Sequence, residues 1–274
     1  MPDFIDILTL FAFGALGSFL SGFLGVGGGT IFIPVLDYYL KKNGYYGNEL
    51  VKAILANSLF VIIFSGIISS YQHYKIGNYE IKRVLQTAIP GMFTAVIITY
   101  LIKIGNWYSK DAFNMVFAGM LLIILLRFFL TKEKTSTTDV SQLKSRYFNI
   151  TGFFAGIITA MSGLGGGVIM TPIFTDILKV NIKKASGISN GVIPFFAISI
   201  GVLNLSNQSA PKISEYQMGY VVFPIVIPII IASLYFARFG VKSAQKVNKQ
   251  TIRITFATLS TIIFLKTLYE IIFS

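Results

Sequence analysis

The stretch Gly25-Val-Gly-Gly-Gly-Thr-Ile-Phe-Ile-Pro34 decides how this chain is read, because it returns 138 positions later as Gly163-Leu-Gly-Gly-Gly-Val-Ile-Met-Thr-Pro172. In each copy three consecutive glycines follow a long apolar run, and a proline stands five residues beyond the last of them. Glycine in a helix interior is less favourable than alanine by about 1 kcal/mol. In lipid an unpaired backbone group costs roughly several kcal/mol more, so such a break belongs inside protein. The apolar pieces that follow, residues 30–40 and 168–178, are shorter than the stretch of about 20 residues that spans a bilayer. Their β-branched openings at 30–33 and 168–171 favour extended backbone, as does the place before a proline. The sequence therefore predicts short extended pieces that lead into half-helices beginning at Pro34 and Pro172, with Thr171 as an N-cap.

Outward from these two stretches the chain is apolar. Of its 274 residues 12% are charged and 54% hydrophobic, with a mean hydropathy of +0.72, whereas soluble domains carry about a quarter charged residues. Apolar runs lie at 4–24, 51–74, 84–104, 112–130, 148–163, 185–205, 216–239 and 252–273. The fold class is an all-α polytopic membrane protein of about eight full spans plus two short re-entrant or half-helical segments. The polar stretch TKEKTSTTDVSQLKSR begins at Thr131 and divides the chain nearly in half. Residues 1–130 then form a first transmembrane repeat, 131–147 a polar central loop and 148–274 a second, homologous repeat, each with a Gly-rich broken helix.

Counting Lys and Arg separates two arrangements of the repeats. If each glycine cluster simply ends a span, the repeats are parallel and the charges divide almost evenly. If each cluster reverses the chain, the repeats are inverted and 16 of the 23 basic residues fall on one side. The positive-inside rule favours inversion, which places the central loop and residues 238–253 in the cytoplasm and both termini outside. Tyr38, Tyr39, Tyr71, Tyr74, Trp107, Tyr108 and Tyr147 mark an aromatic belt.

The same composition excludes several functions. There is no cysteine and one histidine, so thiolate chemistry and a histidine-built metal site are excluded, and no cofactor is implied. No HExxH or Walker motif occurs, no catalytic residue is assigned and the chain is not read as an enzyme. The net charge of +12 lies between apolar runs, which is orientation signalling and does not call for nucleic acid. The partners are then the lipid bilayer and a small solute.

The glycine breaks suggest which solute. A half-helix that starts within the membrane presents unpaired N–H groups and about half a positive charge, and glycines let an anion reach the backbone. The substrate-binding set read from the sequence is Gly27, Gly28, Gly29, Thr30 and Pro34 with Asn57 and Ser58, and Gly165, Gly166, Gly167, Thr171 and Pro172 with Ser189 and Asn190. Asp37 and Asp176, one turn into each short segment, are candidates for proton or sodium coupling. The alternative for them is an interfacial position beside Lys41 or Lys179. His73, between Tyr71 and Tyr74, is expected as a solvated imidazole at a span end. The small pairs Ser18/Gly22 and Gly152/Gly156 read as helix-packing positions.

The pattern Gly-x-Gly-Gly-Gly-x-x-x-x-Pro in each half, followed by Lys52-Ala53 and Lys184-Ala185 at the start of the next span, resembles the TauE/SafE family of membrane transporters, named for sulfite export. The resemblance covers nearly the whole chain. It differs from the family at Asn57-Ser58, where Thr-Ser is more frequent, and at Ser189-Asn190. It implies transport of small sulfur-containing anions such as sulfite, of organosulfonates or of related carboxylates across a prokaryotic plasma membrane. The function expected is secondary transport by alternating access, with the substrate held between the two breaks. The alternative is a small-anion channel.

Overall fold

The computed structural model describes residues 2–25, 27–105, 107–130, 138–206, 210–246 and 249–273. Residues 131–137 of the expected central loop, and the side chains of Lys249 and Arg253, lie outside this description. The described residues form ten α-helices: α1 (Phe4–Leu24), α2 (Gly29–Lys42), α3 (Gly47–Lys75), α4 (Ile81–Ile104), α5 (Lys110–Leu130), α6 (Ser145–Ser162), α7 (Gly167–Pro172), α8 (Ile182–Leu205), α9 (Phe223–Lys246) and α10 (Lys249–Phe273). Among them α1, α3, α4, α8 and α9 are long and apolar enough to cross a membrane. Helix α1 has the bounds read from the sequence. The run expected at 216–239 begins differently, with a two-stranded ribbon of β1 (Gln217–Met218) and β2 (Val221–Val222), and becomes helical only at Phe223.

The extended pieces predicted after the glycines are not present. Helix α2 starts at Gly29 with Gly28 as its N-cap, and α7 starts at Gly167 with Gly166 as its N-cap, so Pro34 and Pro172 lie inside helical segments and Thr171 caps nothing. Inside a bilayer a helix satisfies its own backbone groups whereas an isolated extended piece cannot, and this outweighs β-branched preference. Each proline removes one backbone donor. After Pro172 the chain absorbs the disturbance as a π-helical turn, Ile173–Ile177, a common response to a disrupted hydrogen-bond ladder.

Contacts give the helix directions. Lys42, at the end of α2, is 2.8 Å from Asp6 at the start of α1, so the chain turns back on itself at the first glycine cluster. The second cluster does the same: Phe174, beyond α7, packs on Phe148 in the first turn of α6 with ring centroids 5.5 Å apart. Helix α1 runs alongside α9 in the same direction, with Gly14 against Ile229, Ser18 hydrogen-bonded to Ser233 and Gly22 against Ala237. In the same way α6 follows α4, with Gly152 against Thr87 and Gly156 against Gly91. These approaches are backbone on backbone. A Cβ on Gly22 would stand 2.2 Å from the Ala237 carbonyl oxygen, and one on Gly152 1.9 Å from that of Thr87, so the small pairs are packing positions, as expected. At the centre α3 and α8 cross in opposite directions, Ile63 meeting Gly201, Gly66 meeting Pro194 and His73 meeting Asn190.

Candidate functional site

The site is built where two chain reversals meet. Helix α1 stops at Gly25, which adopts a left-handed conformation and donates its N–H to the Ser21 carbonyl; α6 stops in the same way at Gly163, which bonds to the Thr159 carbonyl. Gly27 and Gly165 also have positive φ, 79° and 78°, where a side chain is strained. These breaks are buried and lie against each other. A Cβ on Gly27 would be 2.4 Å from the Leu164 carbonyl oxygen, and one on Gly29 would be 2.7 Å from the Gly163 carbonyl oxygen. Only glycine leaves room for such closeness.

Two hydroxyls fasten the breaks reciprocally. Ser58 of α3 donates to the Gly163 carbonyl (2.9 Å), and Thr171 of α7 bonds to the Gly25 carbonyl (3.1 Å) and shares a hydrogen bond with Ser189 of α8 (3.1 Å). Carbonyls that a chain break leaves without helical partners are thereby satisfied. Asn57 is engaged elsewhere: it donates to the Ala53 and Tyr220 carbonyls and accepts from the Val222 N–H, tying α3 to the ribbon before α9. Pro34 and Pro172 are half-buried on the short helices, away from these contacts. Of the residues read from the sequence, Gly27, Gly29, Ser58, Thr171 and Ser189 are thus drawn into one contact network.

The same region holds buried polar atoms without partners. Thr30 Oγ1, Ser21 Oγ, Ser69 Oγ and Asn190 Oδ1 make no hydrogen bond among the described residues. An unsatisfied buried polar group costs about 1–3 kcal/mol, so several in one neighbourhood call for a ligand or water. Asn190 connects α8 to α3 and to the first break: its amide nitrogen is 3.2 Å from His73 Nε2 and 3.3 Å from Ser186 Oγ, and Ser186 in turn lies against Gly25. His73 is therefore not a solvated imidazole; it is 1% exposed, buried between α3 and α8. Sequence reading missed it, although Ser65, Ser69 and His73 at four-residue spacing mark one polar face of a helix. That face is buried along its length.

Comparison with known proteins identifies the family. The family model described as "Sulfite exporter TauE/SafE" matches residues 10–267. The chain belongs to the TauE/SafE family. Similar proteins include a "Probable membrane transporter protein" of Haemophilus influenzae, 28% identical over 93% of this chain and 95% of its own length. A second, from Methanocaldococcus jannaschii and also named a probable membrane transporter protein, is 28% identical over 92% and 90%. The Bacillus subtilis protein YdhB, so named as well, is 24% identical over 90% and 92%. These are names of membrane transporters and not of enzymes.

In this TauE/SafE protein the two acids read as coupling candidates stand at opposite ends of the fold. Asp37 lies 2.7 Å from Lys110 and 3.0 Å from Lys41, and Asp176 lies 3.1 Å from Arg127. Asp37 follows Pro34 by three residues and Asp176 follows Pro172 by four; the extra residue of the π turn absorbs the difference, so both acids reach the nearby α5. Among the described residues, no group of three or more His, Cys, Asp or Glu side chains is placed to hold a metal.

Proposed function

We propose that this protein is a secondary transporter that carries small sulfur-containing anions, sulfite or organosulfonates, across a prokaryotic plasma membrane by alternating access. The observation that carries the proposal is the pair of buried breaks clasped backbone to backbone beside unsatisfied neutral polar groups. The directions of α1 and α3, opposite to those of α6 and α8, support inverted repeats joined by the central loop, the arrangement in which transporters place substrate at the repeat interface. In this reading the central loop is cytoplasmic, as the positive-inside count favours. The backbone N–H groups of Gly27 to Gly29 and Gly165 to Gly167, with Thr30, Thr171, Ser189 and Asn190, receive the anion as the clasp opens. Ser58 and Asn57 hold the frame, and Pro34 and Pro172 keep the short helices from becoming uniform rods. Neutral donors suit a cargo that has to leave again.

Coupling through Asp37 and Asp176 belongs to the same proposal. Either acid takes up a proton or sodium ion only when its cationic partner withdraws, so each ion pair would open and close with the cycle. The test is uptake of radiolabelled sulfite and methanesulfonate by proteoliposomes. Saturable uptake with counterflow is expected, which a carrier shows and an open channel does not. Uptake unaltered by bulkier residues at Gly28 and Gly166 would refute the assignment of the site.

A further inference from the structure

A small chamber lies outside the breaks, at the end of the protein where both termini sit. It is a cavity of about 20 Å³ lined by Lys52 and Leu55 of α3, Thr99, Ile102 and Lys103 of α4, Ala160 of α6, Ile200 and Asn204 of α8, and Tyr220 of the ribbon. A chamber needs about 10–15 Å³ and several polar partners to accommodate one water, so this one has room for about one. Its charge is unbalanced. Lys52 is paired with Glu49 (2.9 Å), which also receives the Tyr220 hydroxyl. Lys103 contacts only the Leu203 carbonyl and has no carboxylate partner among the described residues. Thr99 lines the same chamber at 8% exposure, and its hydroxyl has no hydrogen-bond partner among the described residues. A cation without a counter-ion beside an unused buried donor is a built receptor for an anion.

The chamber adjoins the second break at Leu55. Leu55 lines the cavity and also faces Gly163, where an added Cβ would be 3.1 Å from Leu55 Cδ2. Ala160, on the other wall, is one helical turn before Gly163. We propose that this chamber, which in the closed state has room only for water, widens into an antechamber that binds a sulfite- or sulfonate-type oxyanion through Lys103 and Thr99, and that Leu55 is the closed door between it and the glycine breaks. The proposal rests on the anion-transport reading above and adds to it a waiting position and a gate on the side of the termini.

The chain has no cysteine, so Thr99→Cys introduces its sole thiol and reports on the chamber directly. In proteoliposomes the thiol should react faster with an anionic sulfonatoethyl thiosulfonate than with the trimethylammonium analogue, by about tenfold, equivalent to about 1.4 kcal/mol. Methanesulfonate should slow the reaction, and adding Lys103→Gln to Thr99→Cys should abolish the preference while Lys103→Arg keeps it. Leu55→Ala should speed exchange of labelled methanesulfonate without changing the thiol's charge preference. Equal rates for both reagents, or no protection by methanesulfonate, would overturn the antechamber while leaving wild-type uptake intact. Absence of saturable wild-type uptake would instead remove the transport reading on which it rests.

Discussion

Replacing Gly29 with alanine sets two forces against each other, and the structure decides the sign. Gly29 is the first residue of α2 and has no positive φ, so helix propensity alone makes alanine better by roughly 0.5–1 kcal/mol. The added Cβ, however, would lie 2.7 Å from the Gly163 carbonyl oxygen and 2.8 Å from Leu164 Cα. That is roughly 0.8 Å inside the carbon contact optimum of about 3.5 Å. The atoms it meets are backbone, so relief requires the two breaks to part. Overpacking of this kind costs about 1–3 kcal/mol, which leaves a net loss of up to about 2.5 kcal/mol, and each kcal/mol lost lowers the melting temperature of a chain of this size by roughly 2–4 °C. Gly119 in α5 has no atom within 4 Å of a Cβ, and Gly119→Ala is the control in which only propensity acts and the melting temperature should rise. Intrinsic fluorescence melts of both variants in detergent, with uptake measured in parallel, test this. A Gly29→Ala protein as stable as Gly119→Ala would show that the breaks do not touch, and the clasp would be withdrawn.

Three further outcomes follow from individual contacts. Ser58→Ala and Thr171→Val each free one break carbonyl that is now bonded, and each should destabilise by about 1 kcal/mol; a double-mutant cycle should show non-additivity, and strict additivity would argue that the two bonds act apart. Lys110→Met leaves Asp37, 5% exposed, with Lys41 alone, so the melt should fall more than for Lys41→Met, whose side chain is the more exposed of the pair's cations; the reverse order would count against Asp37 being held chiefly by Lys110. Tyr45, in the loop between α2 and α3, has its phenol pushed up to about 12 by burial. Its folded value lies above the unfolded one, so its contribution is whole below about pH 10 and is lost as pH rises toward 12; Tyr45→Phe should remove that alkaline component of the melting curve.

The legible and illegible parts of the site divide along a physical line. The breaks at Gly25 to Gly28 and Gly163 to Gly166 were legible because glycine runs are costly in any helix, whatever surrounds them. The reversal at each was legible through the charge count, and the Lys42–Asp6 pair shows the chain turning back at the first. What followed each break was misread: β-branched residues before Pro34 and Pro172 suggested extended chain, yet both prolines lie in helical segments. The preference of a few side chains is small beside the requirement that buried backbone groups be paired. His73 was misplaced at the interface for a related reason, since its neighbours Tyr71 and Tyr74 do face outward while its own side lies against α8.

The amino-acid sequence by itself determined a membrane-embedded, internally duplicated helical chain and the two places where its backbone must break, because hydropathy and glycine cost act locally. Only the tertiary structure decided that the breaks lie on each other, that Ser58 of one half closes the break of the other, and that Lys103 and Thr99 share a chamber with Leu55 at its inner wall. Contacts between residues more than a hundred positions apart depend on how helices cross. Crossing is fixed by the close approach of small residues along whole helix faces, which no single stretch of chain contains.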